Sequence, residues 1–140
     1  MSKKINIYTD GSYNADRQIY GCGAVLIDGN EKILRMHKTG HPDEGANGWN
    51  INGEIDAAVM AIEKAIELGY DNITIHHDYE GVGKWADKMW KAKKSFTKAY
   101  AKKIDELRTQ VMIRFVRVPG HSGSKWNDIA DEEAREAAEL

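Results

Sequence analysis

At 140 residues, with 41% hydrophobic and 30% charged residues, the chain has the length and balance of one globular domain spanning 1–140. No apolar run reaches the length of a membrane span and the first residues lack a signal-peptide core, so membrane classes are excluded. The lone Cys22 cannot close an internal disulfide, which points to a cytoplasmic protein, and a monomer is expected. The net charge of −2 conceals a split: residues 84–103 hold eight lysines against Asp87, while residues 131–140 hold five acids against Arg135. Such asymmetry indicates a polyanionic partner better than the total does.

Residues 5–10 alternate as a strand and 20–27 form a second. Asp28-Gly29-Asn30 is a hairpin signal that returns the chain as a third strand over 31–38. Residues 40–50, with Gly, Pro and Asn, read as a loop. Ile51, Ile55, Val59, Ile62 and Ile66 recur at spacings of three and four, marking an amphipathic helix that Gly69 ends. A fourth strand follows over 73–78. Residues 81–108 read as helical in two pieces, broken near Lys94 and Ser95. The fifth strand occupies 111–118, stopped by Pro119-Gly120, and the last helix occupies 126–138, capped by Asn127 or Ser124. This order predicts an α/β fold with a mixed five-stranded sheet flanked by helices.

The topology directs four separated acids to one edge. The first helix reaches the fourth strand through only four residues, 69–72, so its N-terminal turn, with Glu54, lies near that strand's end, where Asp78 is. If the first and fourth strands are parallel neighbours, Asp10 joins them. A right-handed crossover then brings the fifth strand's exit loop, with His121, and the final helix, with Asp131, to the same carboxyl edge. Taken singly, each acid has an ordinary explanation: a strand-end turn, a first-turn glutamate, a helix start, a solvated face. Their conjunction suits hard divalent ions, magnesium or manganese, and phosphodiester hydrolysis by two such ions.

Glycine-flanked His121 has the chemistry for proton transfer near a leaving group. His76 and Asp78 share a strand face, but no further nitrogen or sulfur ligand is evident to make them a transition-metal site. Lys84, Trp85, Lys91, Lys93 and Lys94 belong to a stretch that interleaves cations with aromatics, suited to phosphates and to sugar or base faces. For Trp85, a place in the core is as reasonable.

Thr9-Asp10-Gly11-Ser12, Gly53-Glu54, His77-Asp78 and Gly120-His121-Ser122-Gly123 with Asn127 and Asp131 resemble the motifs of type 1 ribonuclease H, bacterial and phage branch. The resemblance covers residues 5 to about 137 and keeps the motif order. It implies a ribonuclease H-like fold and hydrolysis of the RNA strand of RNA–DNA hybrids, leaving 5′-phosphate and 3′-hydroxyl ends. It further implies two magnesium ions, replaceable by manganese, held by Asp10, Glu54, Asp78 and Asp131, with His121 assisting. By the same resemblance, Gly11, Ser12, Asn14, Asn50 and Glu80 lie near the hybrid; Glu80 stands where many members carry glutamine. The basic stretch corresponds to a region contacting the DNA strand. The alternatives are a hybrid-binding module without catalysis, which should lack a carboxylate, and another nuclease of the same fold. A proofreading exonuclease would want Asp-x-Glu where this chain has Asp10-Gly11-Ser12, and a strand-transfer domain fits the histidine loop and Asp131 poorly.

Overall fold

The computed structural model describes residues 2–42, 49–119 and 124–140, apart from the side chains of Trp49 and Asn50. Its elements are β1 (Lys4–Asn14), β2 (Ile19–Asp28), β3 (Glu31–Gly40), α1 (Trp49–Glu67), β4 (Asn72–His77), α2 (Gly81–Ala86), α3 (Ser95–Leu107), β5 (Met112–Arg117) and α4 (Lys125–Ala137). The sheet order is β3-β2-β1-β4-β5. β2 is antiparallel to both of its neighbours, whereas β1, β4 and β5 run parallel. That is the expected mixed five-stranded sheet.

Strand alternation sends two sets of side chains to opposite faces. Ile5, Ile7, Ile73, Ile75 and Ile113 point into a core shared with Ile55, Ala58, Ile62 and Ala65 of α1 and with Tyr100, Ile104 and Leu107 of α3. The opposite face of β1, β2 and β3 is covered by α4. Close approach there depends on Gly21 and Gly23 of β2: a methyl group on either would collide with the α4 backbone carbonyls of Ala134 and Ala130, respectively. On the first face, a methyl on Gly11 would stand 2.5 Å from the backbone nitrogen of Glu54. Glycines on adjoining strands therefore seat α1 and α4 tightly on the two sides of the sheet.

Several boundaries differ from expectation. β1 runs four residues beyond Asp10 because Asp10 to Asn14 continue to pair with β2. α1 begins at Trp49, inside the segment read as a loop, of which residues 43–48 lie outside the described residues. The first helical piece after β4 is short. It stops at Ala86 because Lys88 takes a left-handed φ of 65°, letting the Lys88 and Met89 N–H groups donate back to the Trp85 and Lys84 carbonyls. Gly69 closes α1 in the same way, with Gly69 and Tyr70 donating to Ile66 and Ala65. The second piece does begin at Ser95. Ser124 caps α4, its hydroxyl accepting from the Asn127 N–H.

Candidate functional site

Asp10 lies on the α4 side of β1, and Glu54 reaches the same strand from α1 on the other side. The Gly11 N–H is placed between them, 2.9 Å from Asp10 Oδ1 and 3.1 Å from Glu54 Oε1. Asp131, from α4, comes within hydrogen-bonding reach of Asp10, and Asp78, directly after β4, acts on Glu54 through space. The chain thus brings all four expected carboxylates to one edge. Glu54 is the deepest, 6% exposed, and its Oε2 is buried without a hydrogen-bond partner. Asn127, one helical turn before Asp131, is also buried with an unpartnered Oδ1. The four-residue spacing puts Asn127 and Asp131, paired in the sequence resemblance, on one helix face.

Burial and the neighbouring Asp131 push the Asp10 carboxyl up to about 6, although bonds from Glu54 and Gly11 oppose the rise. Burial, then Asp10 and Asp78, holds Glu54 well above the ordinary carboxylate range. Without a cation the two acids resist ionising together. An orphaned buried carboxylate oxygen among acids that resist joint ionisation is a donor set suited to a hard divalent cation.

A second arrangement can hold a metal. His37, Glu133 and Glu136 each offer a ligand atom, all within 4.8 Å of one another. This group bridges β3 and α4 and includes none of the four acids. Glu133 is already engaged: Arg35 Nη2 stands 2.6 Å from one oxygen and His37 Nδ1 2.9 Å from the other.

The remaining expected residues divide. Asn14 is 7% exposed, its amide donates to the Ala138 carbonyl at 2.8 Å and its oxygen accepts from the Arg17 N–H, so it ties β1 to the end of α4. The backbone approach that Gly11 permits is that of α1. Ser12 is half-buried beside it. Glu80 is half-buried and 3.7 Å from Lys84. Trp85 has a largely structural setting, its ring meeting Tyr79 at 5.9 Å and Trp90 at 5.5 Å against the core. Lys91, Lys93 and Lys94 are exposed, and no ion pair among the described residues neutralises them. His76 stacks on Tyr8 and bonds Asn6, which accounts for it without a metal. His121 and the Asn50 side chain lie outside the described residues.

The sheet order and the carboxylates at its edge define a ribonuclease H-like α/β domain. The RNase H family model matches residues 2–139, and the chain belongs to that family. It is 33% identical to a ribonuclease H of Chlorobium phaeovibrioides over 141 residues, covering 96% of this chain and 95% of the relative. It is 31% identical to one of Clostridium botulinum over 144 residues, with 96% and 95% covered. Among solved structures, RNase H1 of the archaeon Halobacterium salinarum superposes with a TM-score of 0.83 at 24% identity, covering 97% and 98% of the two chains. LC11-RNase H1, solved in complex with an RNA/DNA hybrid, gives 0.76 at 19% identity, with 95% and 98% covered. Among the described residues no helix is long and apolar enough to cross a membrane.

Proposed function

We propose that this chain is an endoribonuclease that hydrolyses the RNA strand of RNA–DNA hybrids and leaves 5′-phosphate and 3′-hydroxyl ends. Asp10, Glu54, Asp78 and Asp131 hold two magnesium ions, for which manganese can substitute. The ions, when bound, stabilise the attacking and leaving oxygens of an in-line displacement. The protein's own part is positional: the Gly11 N–H fixes Asp10 and Glu54, and the glycine-seated helices α1 and α4 hold Glu54 and Asp131 against β1. The observation that carries this reading is the buried Glu54 Oε2, left without a partner beside Asp10. Such an oxygen is costly unless a cation takes it up.

His121 assists proton movement at the leaving group. Exposed Lys91, Lys93 and Lys94, with Lys84 nearby, contact phosphates, and Gly11, Ser12, Asn50 and Glu80 lie along the hybrid. The hybrid bound in the LC11 relative supports this choice of substrate. A 1–140 single domain acting as a monomer in the cytoplasm completes the reading. It is tested by incubating labelled hybrid with protein and magnesium, then repeating with EDTA. Internal RNA cuts that require the metal support it; an intact RNA strand overturns it.

A further inference from the structure

α4 covers only the β1–β3 part of its face of the sheet, and among the described residues no helix packs over the same face of β4 and β5. The register there is regular. Asn6, Thr74 and Arg114 form one row across β1, β4 and β5, and Tyr8, His76 and Val116 form the next. Rows lie two residues apart, about 6.6 Å. One more step along β1 and β4 reaches Asp10 and Asp78, so this face leads directly into the carboxylate edge.

Its chemistry is opposite to that of the edge. Short of the Asp10 and Asp78 edge, the outward side chains of these three strands include no carboxylate and two permanent cations, Lys4 and Arg114, both exposed. Asp71, at the rim, is engaged by the Lys3 backbone N–H at 2.7 Å. Lys4, Arg114, Asn6, Asn72 and Thr74 line a groove of about 330 Å³. Beside it Tyr8 and His76 stack at 4.4 Å and 11°, with His76 fixed by a 2.9 Å bond to Asn6. Cations beside a fixed aromatic platform on an open sheet match the backbone and bases of a single strand. The amides of Asn6 and Asn72, which are not buried, can pair with 2′-hydroxyls, which only RNA has.

We propose that this face binds single-stranded RNA continuing from the strand held at the carboxylates, so that hybrids with an unpaired RNA extension are preferred. The proposal rests on the hybrid-cleaving function above. Its test compares a blunt hybrid with hybrids carrying a single-stranded RNA tail or DNA tail at either end, using wild-type protein, Lys4→Ala/Arg114→Ala and Tyr8→Leu. An RNA tail at one end should lower KM by about fivefold or more, and both variants should lose that advantage while cleaving the blunt hybrid normally. Equal KM for tailed and blunt hybrids, an equal gain from a DNA tail, or an undiminished gain in the double variant would overturn it. If wild-type protein cut no hybrid at all, the parent reading would fail. The surface would then be judged by fluorescence anisotropy of labelled single-stranded RNA, whose affinity must fall in the double variant.

Discussion

Asp10 and Glu54 accept from one backbone N–H, that of Gly11, although they arrive from opposite sides of the sheet. Two carboxylates so placed cannot ionise together cheaply. Asp10 titrates at about 6 in the folded chain against 3.8 ordinarily, so its protonated form is favoured by folding. The associated stability is full below about pH 4 and is lost as pH rises through about 6, a loss on the order of 3 kcal/mol. Asp10→Asn should therefore raise the melting temperature in EDTA at pH 7–8 and flatten the decline between about pH 4 and 6. Magnesium should raise the wild-type melting temperature and do so much less in the variant. A lower Asp10→Asn melting temperature at pH 7, with the fold intact, would contradict this electrostatic account.

The glycines predict a steric pattern. Gly11→Ala places a carbon 2.5 Å from the Glu54 nitrogen and 2.6 Å from the Gly53 carbonyl carbon, so α1 must retreat. A cost of about 1–3 kcal/mol is expected, with loss of hybrid cleavage as Glu54 leaves Asp10. Gly29 differs: its φ is +65° and nothing lies within 4 Å, so Gly29→Asn should be close to neutral. Chemical denaturation of the two variants separates crowding from backbone strain.

Glu133 fixes the helix that carries Asp131. Burial would raise its carboxyl, but bonds from His37 and Arg35 outweigh burial and hold it below the ordinary 4.5. Stability from this group is present above pH 4.5 and lost as pH falls through the folded value. Glu133→Gln should cost about 1–3 kcal/mol at pH 7 and noticeably less at about pH 3, read by urea denaturation at both values. An equal cost at both would show that shape, not charge, matters there.

The sequence made the sheet, the helix order and the convergence of Asp10, Glu54, Asp78 and Asp131 readable, since each depends on strand parity, short connections and crossover handedness. It concealed features set by distant pairs. Nothing local tells that Asn14 is used by the carbonyl of Ala138, or that Glu133 is held by Arg35 and His37 across almost a hundred residues. The early end of α2 escaped for a local reason: the left-handed residue is Lys88, where a glycine would have signalled the stop as Gly69 does for α1. Gly21 and Gly23 were legible only as strand residues, because the helix they admit comes from the far end of the chain.

The exposed lysines predict a binding effect without a chemical one. Replacing Lys91, Lys93 and Lys94 with alanine should raise KM for a hybrid and leave kcat at saturation nearly unchanged. The dependence of binding on salt should become shallower, since each lost phosphate contact releases about one fewer counterion. KM measured at several salt concentrations, in wild type and variant, checks both. An unchanged slope would mean the lysines only solvate the surface.

Removing one carboxylate while keeping its shape tests the central claim most directly. Labelled RNA–DNA hybrid, single-stranded RNA, double-stranded RNA and DNA are each incubated with wild-type protein and Asp78→Asn, with and without magnesium. The account predicts internal cleavage of the RNA in the hybrid alone, by wild type with magnesium, while Asp78→Asn binds the hybrid and leaves it whole. Full activity in purified Asp78→Asn protein, or cleavage that persists in EDTA, would contradict it.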